Sequence, residues 1–108
     1  MIVVVFQVTM REERAADYFD LAAALRPELE TIDGFLSVER FESLSTPGKY
    51  VSISFWRDME AVAAWRGQER HRLAQLRGKA EIFADFRITV AEAARDYRMA
   101  ERIGRDSA

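Results

Sequence analysis

The chain has 108 residues, 49% of them hydrophobic, with 16 basic and 18 acidic side chains, a formal net charge of -2, one histidine and no cysteine. That is enough apolar material for one compact domain, and the lack of cysteine excludes disulfides, thiolate metal sites and thiol catalysis. The near balance of charge gives no general field for a phosphate backbone and argues against nucleic-acid binding.

The first strand is predicted over residues 2–9, where β-branched and aromatic residues dominate and both alternating sets, Ile2, Val4, Phe6, Val8 and Val3, Val5, are apolar. Such a strand should be covered on both faces. No apolar run in the chain approaches the roughly 18 residues that cross a bilayer, and the start lacks a basic leader segment, so a cytoplasmic protein with no membrane partner is expected. Over residues 14–30, apolar side chains recur at Ala15, Tyr18, Phe19, Ala22, Leu25 and Leu29, the three- and four-residue spacing of an amphipathic helix. Pro27 falls inside that pattern and is expected to kink or divide it, because proline offers no amide hydrogen.

Asp33 and Gly34 punctuate the turn into a hairpin. Its first arm alternates from Phe35 to Glu42, the Ser45, Thr46, Pro47, Gly48 run supplies turn chemistry, and the second arm spans residues 49–56. On that arm Val51, Ile53 and Phe55 form a continuous apolar face. Tyr50, Ser52, Ser54 and Trp56 form the other, polar in the middle with aromatic ends. One of the two should line a cavity.

Asp58 is a good cap for a helix carrying Met59, Val62 and Trp65, and Gly67 is placed to end it. A second short helix is expected over residues 69–77, closing at Gly78. Arg66, Arg70, Arg72 and Arg77 cluster in and around these helices, where they could hold an anion or form a solvated face. The last strand is predicted over residues 84–93, with Phe86, Ile88 and Val90 on one side, continuing toward Tyr97. Beyond it, residues 98–108 read as a polar tail.

The order strand, helix, strand, strand, helix, strand predicts an α+β fold, a ferredoxin-like βαββαβ sandwich with an antiparallel sheet, as a single domain over residues 1–97. Helices cover one sheet face in that architecture and leave the other bare. Because the first strand is apolar on both sides, a homodimer packed sheet to sheet is expected.

Six short motifs in this order carry a resemblance: Asp33, Gly34, Phe35 before the hairpin; Ser54, Phe55, Trp56 leading into Asp58, Met59, Glu60, Ala61; Trp65; Glu69, Arg70, His71, Arg72; and Arg95, Asp96, Tyr97. Over residues 1–97 the chain resembles the antibiotic biosynthesis monooxygenase-like domains of the dimeric α+β-barrel superfamily, which include quinone-forming oxygenases and haem-degrading enzymes. The resemblance implies a pocket between helices and sheet in which an aromatic compound or haem is oxidised by O2 with no separate protein-bound redox cofactor. The family's first-strand asparagine is matched to Gln7, whose amide would bind a substrate hydroxyl or enolate. Its pocket tryptophan is matched to Trp65, which would press against a planar substrate and which also suits a place in the core. The haem-degrading branch ligates iron through a histidine ten residues after that tryptophan, a position held here by Gln75, which weakens the haem reading and leaves no cofactor expected.

His71 is the one side chain whose ordinary pKa lies near neutrality, and so a candidate to take a proton from a phenol or hydroquinone; a histidine decorating an exposed helix is the bland alternative. The candidate site is therefore catalytic Gln7 and His71, with Trp65, Val5, Phe35 and Arg77 toward substrate and no metal. Through Gln7, the pocket face is expected to be the side that includes Val3 and Val5. The resulting function is a cofactor-independent monooxygenase acting on an aromatic or quinol-like compound and O2. The alternatives are a non-catalytic dimer that binds a hydrophobic ligand and a haem-degrading monooxygenase.

Overall fold

A computed structural model describes residues 1–11, 14–75 and 83–99. The elements are β1 Ile2–Met10, α1 Ala15–Glu30, β2 Phe35–Glu42, β3 Lys49–Trp56, α2 Met59–Gln75 and β4 Phe83–Glu92. The four strands form one sheet in the order β2-β3-β1-β4, with every neighbouring pair antiparallel. This is the expected ferredoxin-like α+β topology, in which the doubly apolar β1 occupies an interior position.

Alternation along β1 separates two sets of side chains. Ile2, Val8 and Met10 are buried in contact with the helices: Val8 and Met10 cluster with Tyr18, Leu21 and Leu25 of α1, and Ile2 with Leu29, Trp56, Ala61 and Val62. Val3 and Val5 point the other way, opposite Phe55 and Ile53 of β3. Both helices thus cover a single face. The uncovered face carries Val3, Val5, Val51, Ile53 and Phe55, all half-buried.

Two helix expectations are corrected. Pro27 lies in the last turn of α1 and does not divide it. The turn beyond is closed by the Thr31 hydroxyl, which donates to the Glu28 carbonyl at 2.6 Å. Gly67 does not end α2, which runs unbroken from Met59 to Gln75. A terminating glycine adopts positive φ, and among the described glycines only Gly34 and Gly48 do so. Gly78 lies outside the described residues. The last strand stops at Glu92 rather than continuing toward Tyr97, and the Ala93 amide donates to the Met1 carbonyl at 2.9 Å.

The two connections that enter the helix-covered face are tied together. Asp33 accepts from both terminal nitrogens of Arg57 at 3.1 Å, and the Arg57 amide donates to the Gly34 carbonyl at 2.7 Å. The Asp33 hydrogen bond is the main reason the Arg57 guanidinium is held in its charged form more firmly than usual. Asp58 starts α2 by accepting the Ala61 amide at 3.0 Å, and this bond, with a second from Arg57, lowers its pKa below the ordinary carboxylate value.

Candidate active site

A cavity of about 110 Å³ lies between the sheet and the two helices. That is several times the roughly 10–15 Å³ needed to hold one water, so the space admits a small organic molecule. Its floor is the helix-facing side of the sheet: Val4 and Phe6 of β1, Val38 and Arg40 of β2, Ser52, Ser54 and Trp56 of β3, and Ile88 of β4. Its roof comes from Tyr18, Leu25 and Leu29 of α1 and from Val62, Trp65 and Arg66 of α2.

The strand registers explain why the floor has room. Arg40 pairs with Ser52, Ser52 with Phe6 and Phe6 with Ile88, while the next row holds Val38, Ser54, Val4 and Val90. Two serines at the centre of β3 leave a depression where larger side chains would meet the helices. Trp56 closes one end, 1% exposed, with its indole N–H donating to the Ser54 hydroxyl at 2.9 Å. It packs edge-on against Phe35 at 5.3 Å and stacks with Trp65 at 6.5 Å between ring centroids. At the other end Tyr18, Phe19 and Tyr50 form a second aromatic group.

The polar lining has a consistent sign. Arg26, Arg40 and Arg66 contribute to the wall, and no carboxylate does so among the described residues. Arg26 is engaged by Glu30 at 3.2 Å. Arg40 differs, because its Nε is buried with no hydrogen-bond partner among the described residues. No group of three or more potential metal-ligating side chains is found among the described residues.

Of the residues singled out in the sequence, Trp65 lines the cavity. Phe35 lies beside it, against Trp56. Val5 and Gln7 do not line it: they pair with Ile53 and Val51 on the uncovered face, so the assignment of the pocket to the Val3 and Val5 side is reversed. In a strand a one-residue shift moves a side chain to the other face, and it is Phe6 rather than Gln7 that looks into the cavity. Position 71 belongs to α2, six residues beyond Trp65 and therefore about 120° round a continuous helix, and the unbroken helix at Gly67 provides no redirection. The His71 side chain and Arg77 lie outside the described residues. Arg40 and Ser52 were missed as site residues, although two serines amid the aromatic ends of β3 were a visible sign of space.

With this geometry in place, the family model described as antibiotic biosynthesis monooxygenase matches residues 1–77. The chain belongs to the antibiotic biosynthesis monooxygenase family. A protein named jasmonate monooxygenase ABM, from Pyricularia oryzae, is 36% identical over 101 residues, covering 94% of this chain and 47% of that protein. The chain therefore spans about half the length of that relative. Among solved structures, Rv0793 from Mycobacterium tuberculosis superposes with a TM-score of 0.75 at 20% identity, covering 90% of this chain and 98% of that one. SnoaB, a cofactor-independent oxygenase from Streptomyces nogalater, gives a TM-score of 0.72 at 16% identity, covering 88% and 94%. At these identities the two structures demonstrate the shared antibiotic biosynthesis monooxygenase fold. No helix among the described residues is long and apolar enough to cross a membrane.

Proposed function

We propose that the chain is a monooxygenase that binds a small, mostly apolar, aromatic or quinol-like molecule between its sheet and helices and oxidises it with O2, without a separate protein-bound redox cofactor. The observation that carries this reading is the cavity itself, an apolar slot walled by Trp65 and Phe6 in a chain of this family. The relative named as a jasmonate monooxygenase and the cofactor-independent oxygenase of the same fold support it.

The chemistry asks little of the protein. Removal of a proton from an electron-rich substrate gives an anion, which passes one electron to O2 and leaves a substrate radical and superoxide. Their combination and protonation give a hydroperoxide, and loss of water from it leaves a carbonyl, so that one oxygen atom of O2 enters the product and the other leaves as water. The cavity supplies orientation, exclusion of water and a positive lining that favours the anion. His71 is the candidate base. Gln7, on the uncovered face, is given no step. Among the described lining residues Tyr18 is the one of a type that ordinarily ligates haem iron, and it packs against Tyr50; no step of the proposed chemistry passes through a haem.

Oxygen consumption by the purified protein against dihydroxynaphthalenes and anthrones tests this. Uptake matched by loss of substrate is expected, with kcat/KM reduced about ten-fold or more in Trp65→Ala because the planar wall is removed. No uptake across the panel, or equal rates in a folded Trp65→Ala variant, would overturn the assignment.

The reading includes a homodimer joined through the uncovered sheet face, where Val3, Val5, Val51, Ile53 and Phe55 form one half-buried apolar surface. Light scattering is expected to give about twice the 12.4 kDa of one chain. A mass of one chain at micromolar concentration would contradict it.

A further inference from the structure

The cavity is apolar almost throughout, yet a guanidinium is built into its floor. Arg40 sits on the edge strand β2, with Val38 beside it on the same face and Ser52 directly across the ladder. Its Nε is buried and has no acceptor among the described residues. Buried polar groups in native proteins nearly always have partners, so an unpaired Nε in the floor of a cavity points to a partner that the cavity admits. Two other arginines are used differently: Arg26 is held by Glu30, and Arg57, away from the cavity, by Asp33 and Asp58; Arg66 of the wall is exposed, so Arg40 alone among the described residues has a buried, unpaired side-chain nitrogen.

The missing partner can be described chemically. Guanidinium N–H groups only donate, so the ligand atom must accept. Among the described residues no carboxylate lines the cavity to neutralise the charge, which favours an anionic acceptor. Ser54 already accepts from Trp56, whereas the Ser52 hydroxyl makes no hydrogen bond among the described residues and stands as Arg40's cross-strand neighbour. Directly opposed residues bring their Cβ atoms within roughly 5 Å, close enough for one two-oxygen group to meet both side chains. A planar carboxylate matches the fork formed by Nε and a terminal nitrogen, and its single charge matches the charge of one guanidinium.

Resting on the proposed site, we infer that the substrate is an apolar carboxylic acid, bound ionised, whose carboxylate is held by Arg40 and Ser52 while its skeleton lies against Phe6 and Trp65. Arg40 is then the residue that sets specificity. It fixes which end of the molecule faces Trp65 and so which carbon is presented for oxidation.

Calorimetric titration with 2-naphthoate, its methyl ester and 2-naphthyl phosphate, at fixed ionic strength, tests the inference. The unmodified protein should bind the acid about ten-fold more tightly than the ester, a comparison that needs no variant. Arg40→Gln should weaken the acid by about ten- to a hundred-fold and change the ester by less than about two-fold, whereas Trp65→Ala should weaken both. Equal losses for acid and ester in a folded Arg40→Gln variant, no preference of the unmodified protein for the acid, or no binding of the acid would overturn the inference. Tenfold tighter binding of the phosphate would overturn the assignment of a carboxylate. Arg40-dependent binding of the acid without O2 uptake from any acid tested would leave this inference standing and remove the oxygenase reading.

Discussion

Replacing Trp56 with alanine is expected to remove about 3–5 kcal/mol of stability, as found for large aromatic truncations in cores. Trp56 is 1% exposed and joins three parts of the molecule. Its ring meets Phe35 where β2 begins, stacks on Trp65 of α2 and sits in the cluster that includes Leu29 of α1. Alanine there would open a void continuous with the cavity and would leave the buried Ser54 hydroxyl without its indole partner. Against the 5–15 kcal/mol typical of a small domain, that is a large fraction of the total. Urea unfolding measures it. Trp56→Phe separates the contributions, because it retains most of the packing and loses the hydrogen bond, and should cost about 1–2 kcal/mol. A loss under about 1 kcal/mol for Trp56→Ala would mean that this ring does not organise the core.

Gly34→Ala is expected to cost about 2–5 kcal/mol for two separable reasons. Gly34 has φ of +94°, a conformation that side chains other than glycine rarely adopt and that costs about 1–2 kcal/mol. A Cβ built at this position would also lie 2.8 Å from the Cβ of Ala61, closer than such atoms approach, and overpacking adds about 1–3 kcal/mol. Ala61 is in the first turn of α2, whose start is tied to the same turn by the Arg57 amide on the Gly34 carbonyl. The strain should therefore spread to the helix that carries Trp65 and Val62. Combining Gly34→Ala with Ala61→Gly removes the clash and keeps the φ penalty, so partial recovery is expected in thermal and urea melts. Full recovery would show that the backbone conformation contributes nothing. No recovery would show that the clash is absorbed by movement.

The fold was largely legible because its signals are local and mutually consistent. The hairpin over residues 35–42 and 49–56 follows from alternation and turn residues, and its strands match β2 and β3. The helix stripe through Tyr18, Leu25 and Leu29 led to α1 because burial at three- and four-residue spacing has few other solutions. Where the reading failed, a local rule met a context it does not contain. Gly67 is a helix terminator only if its φ turns positive, and with helical neighbours on both sides it stays in the helix. Pro27 likewise stays within α1, in its last turn.

The site was less legible for a reason specific to β1. A strand apolar on both sides does not say which set of side chains meets the helices, and the motif match at Gln7 pointed to the wrong face by one residue. Trp65 was found through the resemblance, as the match to the family's pocket tryptophan, and α2 places it in the cavity wall. Arg40 was invisible as a site residue: in the alternating run from Phe35 to Glu42 it reads as an ordinary solvent-facing charge.

By itself, then, the sequence determined the element order, the antiparallel hairpin, the amphipathic face of α1 and the membership of the chain in its family, since each depends on residue type and spacing along a few turns or strand residues. Only the tertiary structure decided which face of β1 the helices cover, and hence that Phe6, Ser52 and Arg40 share one cavity while Gln7 lies outside it. Side chains alternate with a period of two, so every position on a strand is equivalent to its neighbour until a partner layer is laid against one side. The helices made that choice by burying Val8 and Met10 in one cluster and Ile2 and Trp56 in another, and the site is the space which that packing left unfilled.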